Sequence, residues 1–269
     1  MTYKIVFSDI DGTLLNKDRQ LSHLTKEVIQ QLQQQVPVVL ISSRMPQAMQ
    51  HLQEELHISH QPIICYNGGL ILVDGRSISS TEIPLQTVKA LQDFNKDLQV
   101  HLSLYHSEEW YVPQMDRWAT REENNTKVTP MVLSAKEVVQ KWENEQKSAH
   151  KIMCMGEGEN IDSIVNFLEK EYSEELHLYR SKPTYLEIAN KKVSKLTAIE
   201  QLLKEHFQLP LEQAIAFGDN HNDYEMLQAA GLGIAVGNAK PEILEIAKEV
   251  THPGHEDGVA ISLKKIFRL

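Results

Sequence analysis

Two aspartates separated by a single residue, then glycine and threonine, stand directly after an apolar run: Ile5-Val6-Phe7, then Asp9-Ile10-Asp11-Gly12-Thr13. A buried strand that ends in this way can present one carboxylate as nucleophile or metal ligand and a second as proton carrier. A matching segment near the other end, Gly218-Asp219-Asn220-His221-Asn222-Asp223, follows the apolar run Ala214-Ile215-Ala216-Phe217. Two acidic strand ends in one chain suggest a divalent metal between them. Asp9, Asp11 and Asp219 are hard oxygen donors of the kind that suits Mg²⁺, which keeps water and phosphate oxygens in its remaining positions. Asp11-Gly12 alone reads equally well as an ordinary turn; the second acidic strand end is what favours a site.

The flanking pattern supplies elements to position these residues. Leu21, Leu24, Val28, Ile29 and Leu32 recur at helical spacing, and Pro37 closes that segment before the apolar run Val38-Val39-Leu40-Ile41. Ser42-Ser43-Arg44 ends this second strand, and Pro46 suits the first turn of a helix carrying Met49, Leu52 and Leu56. A third strand, residues 62–66, runs into Asn67-Gly68-Gly69 and a hairpin-like return over residues 70–73. Residues 83–190 change character, with strands expected at 101–105, 110–112, 151–155, 177–179 and 184–189 and two helices, 84–98 and 160–172. From Val193 the crossover rhythm resumes: helix 195–206, strand 214–217, helix 222–230, strand 233–236, then helices from Pro241 and Gly258, with Gly231 as a helix stop and Asn238 as a cap.

The expected fold is therefore α/β: a doubly wound, mostly parallel, Rossmann-like sheet assembled from residues 1–82 and 191–269, with an α+β insertion at 83–190. In a chain of 269 residues with 41% hydrophobic content and a net charge of −10, a broad nucleic-acid surface and adhesion to anionic membranes are both disfavoured. Cys65 and Cys154 lie in apolar contexts, reading as small buried hydrophobes of a reduced compartment. With no signal-like or membrane-spanning run, a soluble cytoplasmic protein is expected, as a monomer or small homo-oligomer. The twelve histidines form no recognised zinc spacing and read as scattered surface groups.

Taken in order, Asp9-x-Asp11-Gly12-Thr13, Ser42-Ser43-Arg44, Lys195 in Val193-Ser194-Lys195, and Gly218-Asp219-x-x-Asn222-Asp223 resemble the four motifs of the haloacid dehalogenase-like phosphohydrolases. The place of the insertion, together with Gly237-Asn238-Ala239 and Glu256-Asp257-Gly258-Val259-Ala260, looks like their Cof-type subfamily. This resemblance implies an Mg²⁺-dependent phosphatase acting on a small phosphorylated metabolite, a sugar phosphate or a phosphorylated cofactor. It casts Asp9 as nucleophile, passing through an aspartyl-phosphate, and Asp11 as acid and base that also lends its carbonyl to the metal. Ser42 would donate to the phosphoryl group, and Lys195 would offset its charge.

Asp219 would ligate the metal, while Asp223 would hold a metal-bound water or orient Lys195. Gly12, Ser43, Arg44 and Asn222 complete the substrate side, Ser43 standing where the family commonly has glycine. Simpler roles exist for several of these: a solvated helix-start lysine for Lys195, a surface ion pair for Arg44, a helix cap for Asn222. Asn67-Gly68-Gly69 resembles the subfamily's turn near the site entrance, and the insertion its cap, where Arg180 and Lys182 are candidate contacts for an anionic substrate. Two other functions fit the same residues: a phosphosugar mutase, or a non-enzymatic module that accepts phosphate as a signal.

Overall fold

The computed structural model describes residues 2–269, Ser181 by its backbone alone. They form two compact units, one from the chain up to Arg44 with Met49–Ser79 and Ser194–Leu269, the other from Met45–Ala48 and Ser80–Val193. Among the described residues, no helix is long and apolar enough to cross a membrane.

In the first unit, Ile5–Ser8 and Val38–Ile41 are buried at every residue, as strands covered on both faces must be. They belong to an eight-stranded sheet in the order Glu249–Val250, Leu232–Ala235, Ala214–Gly218, Ile5–Ser8, Val38–Ile41, Ile63–Cys65, Leu70–Val73, Arg76–Ser80. The first six run parallel; Leu70–Val73 is antiparallel to Ile63–Cys65. The chain winds outward from Ile5–Ser8 in one direction first and fills the opposite side in its last third. Winding thus reverses beside Ile5–Ser8, and the crevice at such a reversal is where open α/β sheets bind ligands. Ser8 pairs in register with Phe217, so Asp9 and Gly218 reach the sheet edge together. On one face, Ile5, Phe7, Val39 and Ile41 pack with Ala198, Ile199 and Leu202 of the helix Lys195–Leu202, burial that anchors this helix and its first residue, Lys195.

The second unit is a six-stranded sheet in the order Leu176–Lys182, Tyr185–Asn190, Lys151–Met155, His101–His106, Glu109–Val112, Met131–Val132. Leu102, Leu104, Ile152, Cys154, Leu186 and Ile188 pack with Val88 and Leu91 of helix Leu85–Leu98, Val138 and Trp142 of Ala135–Glu145, and Ile161 and Ile164 of Gly158–Tyr172. Cys65 and Cys154 are both buried free thiols.

This unit has four helices where two were expected. Ala135–Glu145 carried a readable signal, a Ser134/Glu137 capping box ahead of Val138, Val139 and Trp142. Arg117–Thr126 carried little, being polar almost throughout; Asp116, accepting from the N–H groups of Trp118 and Ala119, starts it. Short edge strands at Arg76–Ser80, Met131–Val132 and Glu249–Val250, exposed at nearly every residue, carry no apolar run long enough to announce them. The helix expected over 195–206 is α-helical only to Leu202 and continues as a wider turn over Leu203–Phe207.

Candidate active site

Each candidate residue stands where a strand or helix ends. Asp9 follows its strand and donates its N–H to the Phe217 carbonyl at 3.0 Å. Lys195 opens its helix behind Ser194, whose side chain accepts from the Thr197 N–H. The fully buried Lys195 ammonium donates to Asp9 Oδ1 at 2.5 Å and to Asp223 Oδ1 at 2.6 Å. Asp223 Oδ2 accepts from the N–H groups of Asp219, at 2.9 Å, and Asn220, at 3.0 Å. One carboxylate therefore closes the turn after the strand Ala214–Gly218 and aims the lysine.

Asp219 is held from the opposite side. Thr13 Oγ1, fully buried, donates to Asp219 Oδ1 at 2.9 Å. Gly12 adopts φ +89°, and a Cβ there would stand 2.4 Å from Asp219 Oδ2, so the close approach of the two acidic loops requires glycine. Asn238 Nδ2 donates to the Gly12 carbonyl at 2.9 Å while its Oδ1 accepts from the Gly254 N–H at 2.7 Å.

Asp11 is paired separately. Arg44 donates to both its oxygens at 2.7 Å, and Arg19 lies 3.6 Å from Oδ1. Ser42 is buried at the end of its strand, accepting the Arg44 N–H at Oγ and the Asn67 N–H at its carbonyl, 2.8 Å away. Asn222 Nδ2 donates to Asn67 Oδ1 at 3.0 Å.

Burial drives the Asp9 carboxyl well above the ordinary carboxylate range; Lys195 pulls it back, and Asp223 and Asp219 add to the rise. Asp219 is pushed up to about 6, first by burial and then by Asp223. Burial also opposes the Lys195 ammonium, yet Asp223 and Asp9 outweigh it and hold the lysine above its usual range. Asp11 goes the other way: burial would raise it, but Arg44 and Arg19 keep it below the ordinary range. Asp9, Asp219 and Asp223 can each offer a carboxylate oxygen within 4.8 Å of the others. With all three carboxylates ionised against one ammonium, two negative charges would be in surplus, the charge that one divalent cation would offset; without it, burial and this crowding raise Asp9 and Asp219. Donor chemistry and charge surplus both fit such an ion.

The chain matches the family model of the haloacid dehalogenase-like hydrolases over residues 6–263. The chain belongs to that family. It is 33% identical over 274 residues to a putative phosphatase of Haemophilus influenzae, covering 99% of each chain. It is 30% identical to the 5-amino-6-(5-phospho-D-ribitylamino)uracil phosphatase YitU of Bacillus subtilis, covering 98% of each. Among solved structures, a haloacid dehalogenase-like hydrolase from Bacteroides thetaiotaomicron superposes with a TM-score of 0.89 at 25% identity, covering 99% of this chain and all of that one. Within the haloacid dehalogenase-like hydrolases this chain is a Cof-type phosphoric monoester hydrolase.

For a haloacid dehalogenase-like hydrolase, the residues that gather are informative. Asp9, Lys195, Asp219 and Asp223 form one hydrogen-bonded cluster with Gly12 against it. Asp11 is absent from the close carboxylate group and is tied to Arg44 instead. Ser43 is half-buried beside Ser42. In the second unit Arg180 pairs with Asp162 and donates to the Pro183 carbonyl, and the exposed Lys182 lies 5.5 Å from the Tyr185 ring.

Three sequence expectations need correction. Asn222 is no helix cap: Asn220 caps the turn His221–Asp223, accepting from the His221 N–H. Asn238 does not cap the helix from Pro241, whose N-cap is Lys240; its amide instead ties Gly12 to Gly254. His101, His106 and His150 are buried, not surface groups. His101 Nδ1 pairs with Asp116 at 2.8 Å. Glu82, His106 and His150 lie close enough together to invite a metal reading. His150 Nδ1, however, accepts the Ser107 N–H, placing the ring proton on Nε2 toward Ser80 Oγ, while His106 Nδ1 faces the Ser148 carbonyl. Protein partners already occupy those nitrogens.

Thr13 and Asn238 are supporting residues that the motif spacing did not assign. Thr13 lay inside a quoted motif, and only its contact with a residue 206 positions away reveals its role.

Proposed function

We propose that this enzyme is an Mg²⁺-dependent phosphatase of small phosphomonoesters that works through an aspartyl-phosphate on Asp9. The observation that carries this reading is the buried Asp9–Lys195–Asp223 chain beside Asp219, at the point where the sheet reverses its winding. Asp9 attacks phosphorus as the ester P–O bond breaks, and Asp11 gives its proton to the departing alkoxide. Water then attacks the aspartyl-phosphate, giving its proton to Asp11; inorganic phosphate leaves and Asp9 is regenerated. Lys195 and the Ser42 hydroxyl meet the charge on the phosphoryl oxygens, Lys195 kept cationic by Asp223.

Asp9, Asp219 and the Asp11 carbonyl would hold Mg²⁺, which would supply positive charge against that of the anionic ester and the anionic nucleophile. We assign Asp223 to orienting Lys195 and the Asp219 loop, because both its oxygens already accept hydrogen bonds. Gly12, Ser43, Arg44 and Asn222 border the phosphate on this reading, and residues 83–190 are the cap that reads the rest of the substrate. The substrate is a sugar phosphate or a phosphorylated cofactor; YitU is named for 5-amino-6-(5-phospho-D-ribitylamino)uracil, a small phosphomonoester. The absence of a membrane-crossing helix among the described residues is compatible with a cytoplasmic setting.

The test is release of inorganic phosphate from a panel of such esters with and without Mg²⁺, alongside Asp9→Asn. Mg²⁺-dependent release that the variant abolishes is expected. Activity that persists in the variant would remove Asp9 as nucleophile, and conversion of a hexose phosphate to its isomer without free phosphate would point to a mutase.

A further inference from the structure

The turn after Ile63–Cys65 holds three successive left-handed residues: Tyr66 at φ +53°, Asn67 at +57° and Gly68 at +110°. Asparagine and glycine tolerate this region, whereas a buried aromatic residue there is strained, and such strain persists only where surrounding contacts enforce it. Those contacts lead to three of the four motifs. The Tyr66 N–H donates to the Arg44 carbonyl at 3.1 Å and the Asn67 N–H to the Ser42 carbonyl at 2.8 Å, which holds the end of the second strand. Asn67 Oδ1 accepts from Asn222 Nδ2 at 3.0 Å, which holds the loop after Asp219. Gly68 packs so tightly under the cap of the Lys195 helix that a Cβ would stand 2.5 Å from the Ser194 carbonyl oxygen.

We propose that Asn67 is a positioning residue of the phosphate site: its backbone sets Ser42 and its side chain sets Asn222, so one residue fixes the spacing of two phosphate-facing groups. This rests on the phosphatase reading above. Because Oδ1 of Asn67 receives one of the Asn222 amide protons, the orientation of the Asn222 amide, and hence the direction of its other N–H, is decided here. Left-handed geometry at residue 67 is what allows backbone and side chain to serve two strand ends at once.

The discriminating variant is Asn67→Gly, because glycine accepts φ +57° and keeps the N–H bond to Ser42 while removing the side-chain bridge to Asn222. With the best ester of the panel, kcat is expected to fall tenfold or more, with KM changing less than threefold and the melting temperature unchanged within a few degrees. In an Asn222→Ala background the same substitution is expected to have no further effect, since both act through one bond. An equal penalty with and without Asn222, no penalty at all, or loss of the fold in Asn67→Gly each overturns the proposal. Calorimetric binding of inorganic phosphate, compared across the same four proteins, carries the same test independently of turnover. A wild-type enzyme inactive on every ester would count against the phosphatase reading, while the phosphate-binding cycle would still decide the role of Asn67.

Discussion

Arg44 grips Asp11 through two parallel hydrogen bonds of 2.7 Å, one to each carboxylate oxygen. The guanidinium is itself buried, so this is a positioned pair and not a surface contact. It keeps the carboxyl assigned to proton transfer ionised in the free protein, the form that takes the proton from water, so the acid step of the proposed cycle requires Asp11 to take up a proton once the ester is bound.

Lysine cannot reproduce the two-pronged grip, so Arg44→Lys and Arg44→Ala should both lower kcat, by about tenfold or more given what a positioned acid and base contributes. Without Arg44, burial dominates and the Asp11 carboxyl rises. Since its deprotonated form must take the proton from water, the acid limb of the kcat profile should move to higher pH in Arg44→Ala. An unmoved limb would separate Arg44 from Asp11.

Removing Lys195 and removing the charge of Asp9 should have opposite effects on stability. Lys195→Met leaves Asp9 and Asp223 buried without their cation, expected to cost about 3–5 kcal/mol. Asp9→Asn keeps the shape and relieves one of the crowded carboxylates, so the protein should be as stable as wild type or more so in chelator, though inactive. Urea denaturation in EDTA measures both; equal destabilisation by the two would contradict the charge surplus.

Thr13→Val removes one hydroxyl and little volume from a fully buried position. Losing the partner that orients a metal ligand typically weakens metal affinity by about 10- to 100-fold. The Mg²⁺ concentration for half-maximal activity should rise by that order, with the maximal rate largely recovered at saturating Mg²⁺. An unchanged Mg²⁺ requirement would make Thr13 a packing residue only.

Burial, and then His106, push the His150 ring down to about 3, so it is neutral in the folded protein. The unfolded chain protonates it at about 6.5, so its contribution is complete above that pH and drains away as pH falls toward 3. Between pH 7 and pH 5 the stability gap between wild type and His150→Gln should shrink by about 2 kcal/mol in urea denaturation. A constant gap would mean that the folded ring takes up its proton over the same pH range as the unfolded chain.

Much of this enzyme is written locally. Short apolar runs such as Ile5-Val6-Phe7 and Ala214-Ile215-Ala216-Phe217 announce buried strands, and the acids that follow them announce a site, because strand ends in a doubly wound sheet converge on one edge whatever the loops do. The capping box of Ala135–Glu145 was equally local and was readable. Pairings were not. No spacing rule says that Arg44 takes Asp11, that Thr13 takes Asp219, that Asn238 bonds Gly12 instead of capping a helix, or that Asn67 reaches Asn222. Nor does composition say that His101, His106 and His150 are buried. Sequence alone determined which strand ends carry the acids; the tertiary structure decided which partner each of them has. Hydrogen bonds and ion pairs depend on ångström separations between residues far apart in sequence, such as Gly12 and Asn238, 226 positions apart, and only the packed sheet and helices set those separations.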